Sequence, residues 1–363
     1  MAIVTALRFT PRSGAICVDG ESWHIRGRKN HFTEQVYSLI PGDLVRQTGC
    51  ALVYGGVGHP PFHYTVAQQA KQRIAALLAT QQAQSGGMTV EPLARCVLDC
   101  FHQVHTNRVD NALRFFFGFS RADYTSGRFN ANGREYAIKQ QGVLDRAHDI
   151  VSGKEQPGRN AFTPPVEACL AGLDPEKGYS AYVLKETDGV LGFQSCWFES
   201  LGQGRDGAAA GFARHLSQRF LDSRRKGMGP RRGLVELLDA FHDANTYYSM
   251  LGGGLRMVII DGEDPDDSRI RDVRGNEARM LLEITSARKA GFIDPETAET
   301  LVHNVVWGKL SFGEAEKALF QSATDPCLLG RLLRQFKQEG AADLPQGPEN
   351  RLFLVSQAEK EIS

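Results

Sequence analysis

Between Met228 and Gly262 the chain passes through three hydropathy patterns in quick succession. Leu234, Leu237, Leu238 and Phe241 recur at helical spacing and give one apolar face. Gly252, Gly253 and Gly254 then stop the helix, because glycine takes positive φ without steric cost. Leu255, Met257, Val258, Ile259 and Ile260 form a short apolar run of strand type. The start of the chain has the same clarity. Residues 1–9 predict a strand, Thr10 to Gly14 supply turn chemistry, and Ala15-Ile16-Cys17-Val18 predicts a second strand ending at Asp19-Gly20. A strand from Cys50 to Tyr54 runs into Gly55-Gly56-Val57-Gly58. His59, Pro60 and Pro61 open a helix over about Phe62 to Thr80.

Ser85-Gly86-Gly87 breaks that helix, and Leu93, Val97, Leu98 and Phe101 mark a second one from Val90 to about His105. Phe115-Phe116-Phe117 is expected to be a buried strand. Strands and helices in this order predict an α+β layered domain, and the lack of parallel crossover units favours antiparallel sheets. Residues 121–178 depart from the pattern. They hold a hairpin sequence, Gly-Arg-Phe-Asn-Ala-Asn-Gly-Arg, a helix near Leu144 to Val151 and a polar loop from Ser152 to Pro165, together expected to be a surface insertion. Beyond Gly262 an acidic stretch, Glu263 to Asp267, precedes helical segments near Glu277–Ala290 and Glu296–Trp307. A third runs from a cap at Ser311-Phe312-Gly313-Glu314 through Phe320, and a fourth covers about residues 327–338. Residues 1–262 are therefore expected to be one domain, and 263–363 a helical appendage.

Composition adjusts this picture in few places. With 363 residues the chain exceeds one ordinary domain, which agrees with a core plus additions. Lys plus Arg equals Asp plus Glu at 42 each, so net charge argues neither for nucleic acid nor for an anionic membrane as partner. No apolar run is long enough to span a bilayer. Seven cysteines without framework spacing fit free thiols in a reducing compartment, and the expectation is a cytoplasmic protein.

The opening strand pair, the strand running into Gly55-x-x-Gly58 and the helix pair resemble the proteasome β-type pattern. So do Leu201-Gly202-Gln203-Gly204 and the helix, triple glycine and strand of residues 228–262. The resemblance covers about residues 1–118 and 179–262. It implies the four-layer αββα sandwich of N-terminal nucleophile (Ntn) hydrolases, and a habit of assembling into homo-oligomeric rings or spirals.

It also implies where an active site would lie. The family's nucleophile is an N-terminal threonine whose free α-amine is the general base, aided by an aspartate, a lysine and an oxyanion-hole glycine. Here Met1 or Ala2 holds the first position, and Thr5 would serve only after removal of four residues. Asp19, Lys29 and Gly55 match the aspartate, the lysine and the glycine. Arg205 replaces the serine of the Gly-x-Gly turn, and Tyr248 and Leu251 replace the Asp-x-x-Ser pair; Asp243 lies more than one helical turn upstream. Leucine has no hydrogen-bonding group. The implied function is a non-catalytic scaffold or regulatory subunit, alone or with an active paralogue. The alternative is an active threonine peptidase or amidohydrolase processed to Thr5.

Bland readings compete for the surviving residues. Asp19-Gly20 is an ordinary turn dipeptide, Lys29 belongs to a basic run, and Gly55 and Gly58 suit a strand-to-helix turn. Cys96 and Cys100, with His102 and His105 nearby, have metal-ligand character, but their helical face favours buried thiols. His59 and His63 are expected in a surface turn, Gly202 to Gly207 lacks a full dinucleotide fingerprint, and the basic residues Arg224, Arg225, Lys226, Arg231 and Arg232 read as a solvated cluster. No cofactor or metal is called for.

Overall fold

The computed structural model describes residues 3–19, 22–23, 29–30, 35–81, 89–152, 166–187, 190–196, 198–202, 229–247, 255–263, 269–308 and 310–340. The early hairpin forms as expected: β1 (Ile3–Thr10) and β2 (Ser13–Asp19) are antiparallel, with Thr5 opposite Cys17. A two-residue ladder follows, β3 (Ser22–Trp23) with β4 (Lys29–Asn30). Next come β5 (Val36–Ser38), helix α1 (Gly42–Thr48), β6 (Ala51–Val57), α2 (Pro60–Gln81) and α3 (Val90–Phe117). A small unit of α4 (Arg121–Ser126), β7 (Arg128–Ala131), β8 (Arg134–Ala137) and α5 (Gln141–Val151) leads to four strands. These are β9 (Glu167–Asp174), β10 (Gly178–Thr187), β11 (Val190–Cys196) and β12 (Phe198–Gly202). The chain closes with α6 (Pro230–Tyr247), β13 (Leu255–Asp261), β14 (Ile270–Val273), α7 (Gly275–Lys289), α8 (Pro295–Val306), α9 (Phe312–Ser322) and α10 (Pro326–Gly340).

Two antiparallel five-stranded sheets result. One has the order β12-β1-β2-β13-β14 and the other β11-β10-β9-β6-β5. They face each other, with β1, β2 and β13 over β9 and β6. Helices α2 and α3 lie against β6 and β9, while α6 lies against β1 and β2, and α7 against β13.

Strand alternation explains the core. In β1, Val4 and Ala6 point at the opposing sheet, while Ile3, Leu7 and Phe9 point at the helices. In β2, Ile16 and Val18 face inward and Ala15 and Cys17 outward; in β13, Val258 and Ile260 oppose Met257 and Ile259. Both faces of these strands are covered, which is why they read as unbroken apolar runs. At ~25 cal/mol per Å² of apolar surface, such two-sided burial is the main favourable contribution to the fold.

Several expectations change. Phe115-Phe116-Phe117 is the last turn of α3, not a strand: no glycine or proline intervenes before Gly118, whose φ of 78° ends the helix as its amide donates to the Arg114 carbonyl. Val109 and Leu113 extend the helical stripe past His105 and pack on Phe119, Ala147 and Ile150. The hairpin within the insertion forms at β7–β8 as expected. The insertion is shorter than 121–178, because Glu167–Asp174 is a central strand between β10 and β6. Its sequence, EACLAGLD, is too rich in alanine and glycine to look like a strand, yet those small residues suit its place. A Cβ on Gly172 would strike Val90 of α3.

The expected boundary at Gly262 falls within the β13–β14 hairpin, where Arg256 Nη2 lies 2.9 Å from Asp272 Oδ2 across the strands. Helices α7, α8 and α9 bury Met280, Leu281, Ile284, Val302, Val305 and Leu319 in the same core as α6, β1 and β2. A chain ended at Gly262 would leave Met257, Ile259 and Phe241 uncovered. It should give insoluble protein, or protein with no cooperative thermal transition, when expressed beside the full chain.

Candidate functional site

Of the four residues singled out from the sequence, Asp19 and Thr5 share one face of a sheet, Gly55 lies beyond its other face, and the side chain of Lys29 lies outside what the structure describes. Asp19 is fully buried at the end of β2, and its Oδ1 accepts the Ile3 amide at 3.0 Å. By the alternation of β2, its side chain falls on the helix side of the sheet with Ala15 and Cys17. Thr5 lies on that face too, two residues further along β1, or about 7 Å by strand rise. It is also fully buried, and its hydroxyl pairs with Ser200 of β12 at 3.1 Å. Beside it Cys17 is pushed above the ordinary thiol range by burial.

Gly55 occupies the opposite side of the same wall. It sits in β6 between Val36 and Cys169, and a Cβ there would stand 3.0 Å from Ile16 Cγ2 and 3.2 Å from Val4 Cγ1. Glycine at this position lets the two sheets approach. Lys29 belongs to the separate β3–β4 ladder, where it pairs with Trp23. Met1, Ala2, Arg205, Tyr248, Leu251 and Gly252 to Gly254 lie outside the described residues, as do residues 153–165 and 203–228.

The chemistry available at Thr5 follows from its setting. With Ile3 and Val4 preceding it in the strand, its nitrogen is an amide and cannot act as a base. Its hydroxyl contributes to strand cohesion, and the Asp19 carboxylate satisfies the first described amide of β1. A second buried carboxylate has the same job nearby: Glu167 Oε2 accepts the Gly202 amide at 3.2 Å, tying the end of β12 to the start of β9. A third, Asp174, accepts the amides of Val90, Glu176 and Lys177, so it fastens the start of α3 to the β9–β10 turn. Sequence reasoning missed Ser200, Glu167 and Asp174. Only the last had a local signal, a carboxylate opening the turn Asp174-Pro175-Glu176-Lys177 just ahead of Gly178.

No protein-family model matches this chain, and a search of curated proteins gives no match. Its functional reading therefore rests on geometry.

Other candidates resolve into structural roles. His63 is buried rather than in a surface turn. Its Nε2–H donates to the Val57 carbonyl at 2.7 Å, which leaves Nδ1 to accept from the Tyr54 hydroxyl at 2.6 Å. A Cβ on Gly56 would collide with this ring, so the second glycine of the corner makes room for a histidine. Burial holds His63 at about 4, aided by His59 and Arg108 and opposed by the Val57 bond. Asp243 on α6 accepts from Lys289 Nζ of α7 at 2.8 Å. Burial raises its carboxyl, but His242 and Lys289 together outweigh this and bring it to about 2. Nearby, Arg288 of α7 is paired with the buried Asp239 of α6. Among the described residues there is no cluster of three or more His, Cys, Asp or Glu side chains able to hold a metal ion. No helix among them is long and apolar enough to cross a membrane.

Two measurements check these assignments. Asp19→Ala strips the Ile3 amide of its acceptor and should cost about 1–3 kcal/mol in urea denaturation, with Asp19→Asn losing less because one oxygen remains. His63 binds its proton more weakly folded than unfolded, so stability should be full above pH 6.5 and fall as pH drops towards 4. The loss is at most about 3 kcal/mol. His63→Gln should flatten that part of a plot of thermal midpoint against pH.

Proposed function

We propose that this chain is a proteasome-β-like protein of the Ntn-hydrolase type, with a non-catalytic site, acting as a self-assembling scaffold or regulatory subunit. The layering of helices and two facing antiparallel sheets supports the four-layer αββα assignment. The observation that carries the loss of activity is the seating of β1. In the family the first strand begins at the nucleophile, whose amine needs to be free. Here Ile3 and Val4 continue the strand ahead of Thr5, pairing with Gly202 and Leu201, and the Asp19 carboxylate holds the Ile3 amide. Gly55 is spent on sheet contact with Val4 and Ile16.

Assembly has support on the α2–α3 layer, where Tyr64, Leu77, Phe115 and Phe116 are exposed apolar side chains. We assign the chain to a homo-oligomer, ring or spiral, in the cytoplasm, with an active paralogue as a further partner. A second reading retains activity after cleavage to Thr5, and it draws on the shared face of Thr5 and Asp19. Such cleavage would remove two paired residues from β1 and take from Asp19 its present amide.

Intact-mass analysis of purified protein treated with a threonine-directed epoxyketone decides between them. The scaffold reading expects an unmodified mass and residues 3–4 still present. A mature terminus at Thr5 carrying the adduct would replace it with the active enzyme. Native mass spectrometry of the same sample should give a multiple of the 40.0 kDa chain mass.

A further inference from the structure

The outer helical layer holds a cleft whose walls combine an ion pair with apolar side chains. Its volume is about 250 Å³, just under the range for drug-sized ligands, so it suits a molecule of amino-acid size. Arg271 of β14 with Asn276 and Glu277 of α7 forms its polar side. Met280 of α7, Val305 of α8 and Ala315 of α9 form the apolar side, together with Leu310 and Phe312. That apolar wall is held by contacts of its own. The Leu310 amide donates to the Asn304 carbonyl at 3.1 Å, and the Ser311–Glu314 capping box sets the start of α9. The Arg279 guanidinium lies over the Phe312 ring, 5.6 Å from its centre.

The polar side is only partly used. Arg271 Nη2 donates to Glu277 Oε1 at 2.6 Å. Arg271 Nε is buried and has no acceptor among the described residues. Such a donor carries a cost that an acceptor in the cleft would remove. The pair is not sealed from solvent, since its side chains keep 27% and 28% of their surface exposed. Arg274 makes no side-chain capping bond to the start of α7, so the positive end of that helix also favours an anion beside Asn276. Glu277 adds the opposite charge at the same mouth. A simple carboxylic acid would meet Arg271 and be repelled by Glu277, and a simple amine would have the reverse difficulty. A zwitterion satisfies both.

We propose that this cleft binds a free α-amino acid with an apolar side chain. Its carboxylate lies on Arg271, its ammonium on Glu277, and its side chain against Val305, Phe312 and Ala315. Because β14 and three helices meet here, the ligand ties α8 and α9 to α7 and the strand, and the thermal midpoint rises with its concentration.

Calorimetric titration of the full-length protein with L-leucine should show one site per chain. The few atoms of the ligand set a Kd in about the micromolar-to-millimolar range. L-Leucinamide lacks the carboxylate and 4-methylpentanoate lacks the ammonium, so each should bind about tenfold or more weakly. Glu277→Gln should weaken leucine to a similar degree while leaving 4-methylpentanoate no weaker, because the repulsion has gone. Ala315→Leu should fill the apolar end and remove binding; if that variant misfolds, the ligand series on the unaltered chain still decides. No saturable heat from leucine, methionine or phenylalanine at about 10 mM, or leucinamide or 4-methylpentanoate binding as tightly as leucine, would overturn the assignment.

Discussion

Two-sided burial of the central strands is the constraint from which most of this structure follows. Val4, Ile16 and Val258 must meet the opposing sheet while Leu7, Cys17 and Ile259 meet helices, so neither face of β1, β2 or β13 can be left to water. The helices after residue 274 are therefore part of the core, since without them the outer face of β13 and much of α6 would have no cover. The same requirement sets the spacing of the sheets. Where they come closest, β6 has Gly55, and where α2 presses on β6 it has Gly56. These two adjacent glycines serve opposite faces of one strand, the first for sheet contact and the second for the His63 ring.

A core closed on both sides admits polar groups only with partners, because an unpaired buried donor costs as much as a lost hydrogen bond or more. Three of the buried carboxylates here sit where backbone needs them, at the ends of elements. Asp19 serves the start of β1, Glu167 the end of β12, and Asp174 the start of α3 and the turn beyond β9. The α6–α7 contact follows the same rule with charges, as Arg288 meets Asp239 and Lys289 meets Asp243. A catalytic site needs the reverse economy, with polar groups left free to engage substrate. Here the Asp19 carboxylate accepts the Ile3 amide, the Thr5 hydroxyl pairs with Ser200, and Gly55 lies against Val4 and Ile16.

The surface of the α2–α3 layer is less settled by such duties. It carries exposed aromatic side chains, with Phe115 83 % exposed, and two thiols of unequal exposure, Cys96 and Cys100.

Local pattern was enough for most elements. The β1–β2 hairpin, α2, α6, β13 and the capped α9 follow from turn residues, prolines, periodicity and a capping box that operate within a few residues of themselves. Where two local readings were possible, distant contacts chose. Three phenylalanines after a helix suit a strand as well as another turn, and only the partners of Val109 and Leu113 favour the helix. EACLAGLD has weak strand propensity and becomes a central strand because small residues fit between a sheet and α3. The polar β14 exists through pairing with β13. For the candidate site, residue types aligned along the sequence could point to Asp19, Gly55 and Thr5, but not to which side of a sheet each would face. That depends on strand phase and register, where a shift of one residue reverses every side chain. The sequence by itself determined the elements and their apolar faces, because those depend on near neighbours. The tertiary structure alone decided that Asp19 and Thr5 lie on one side of a sheet and Gly55 on the other, because that depends on which strands pair across the whole chain.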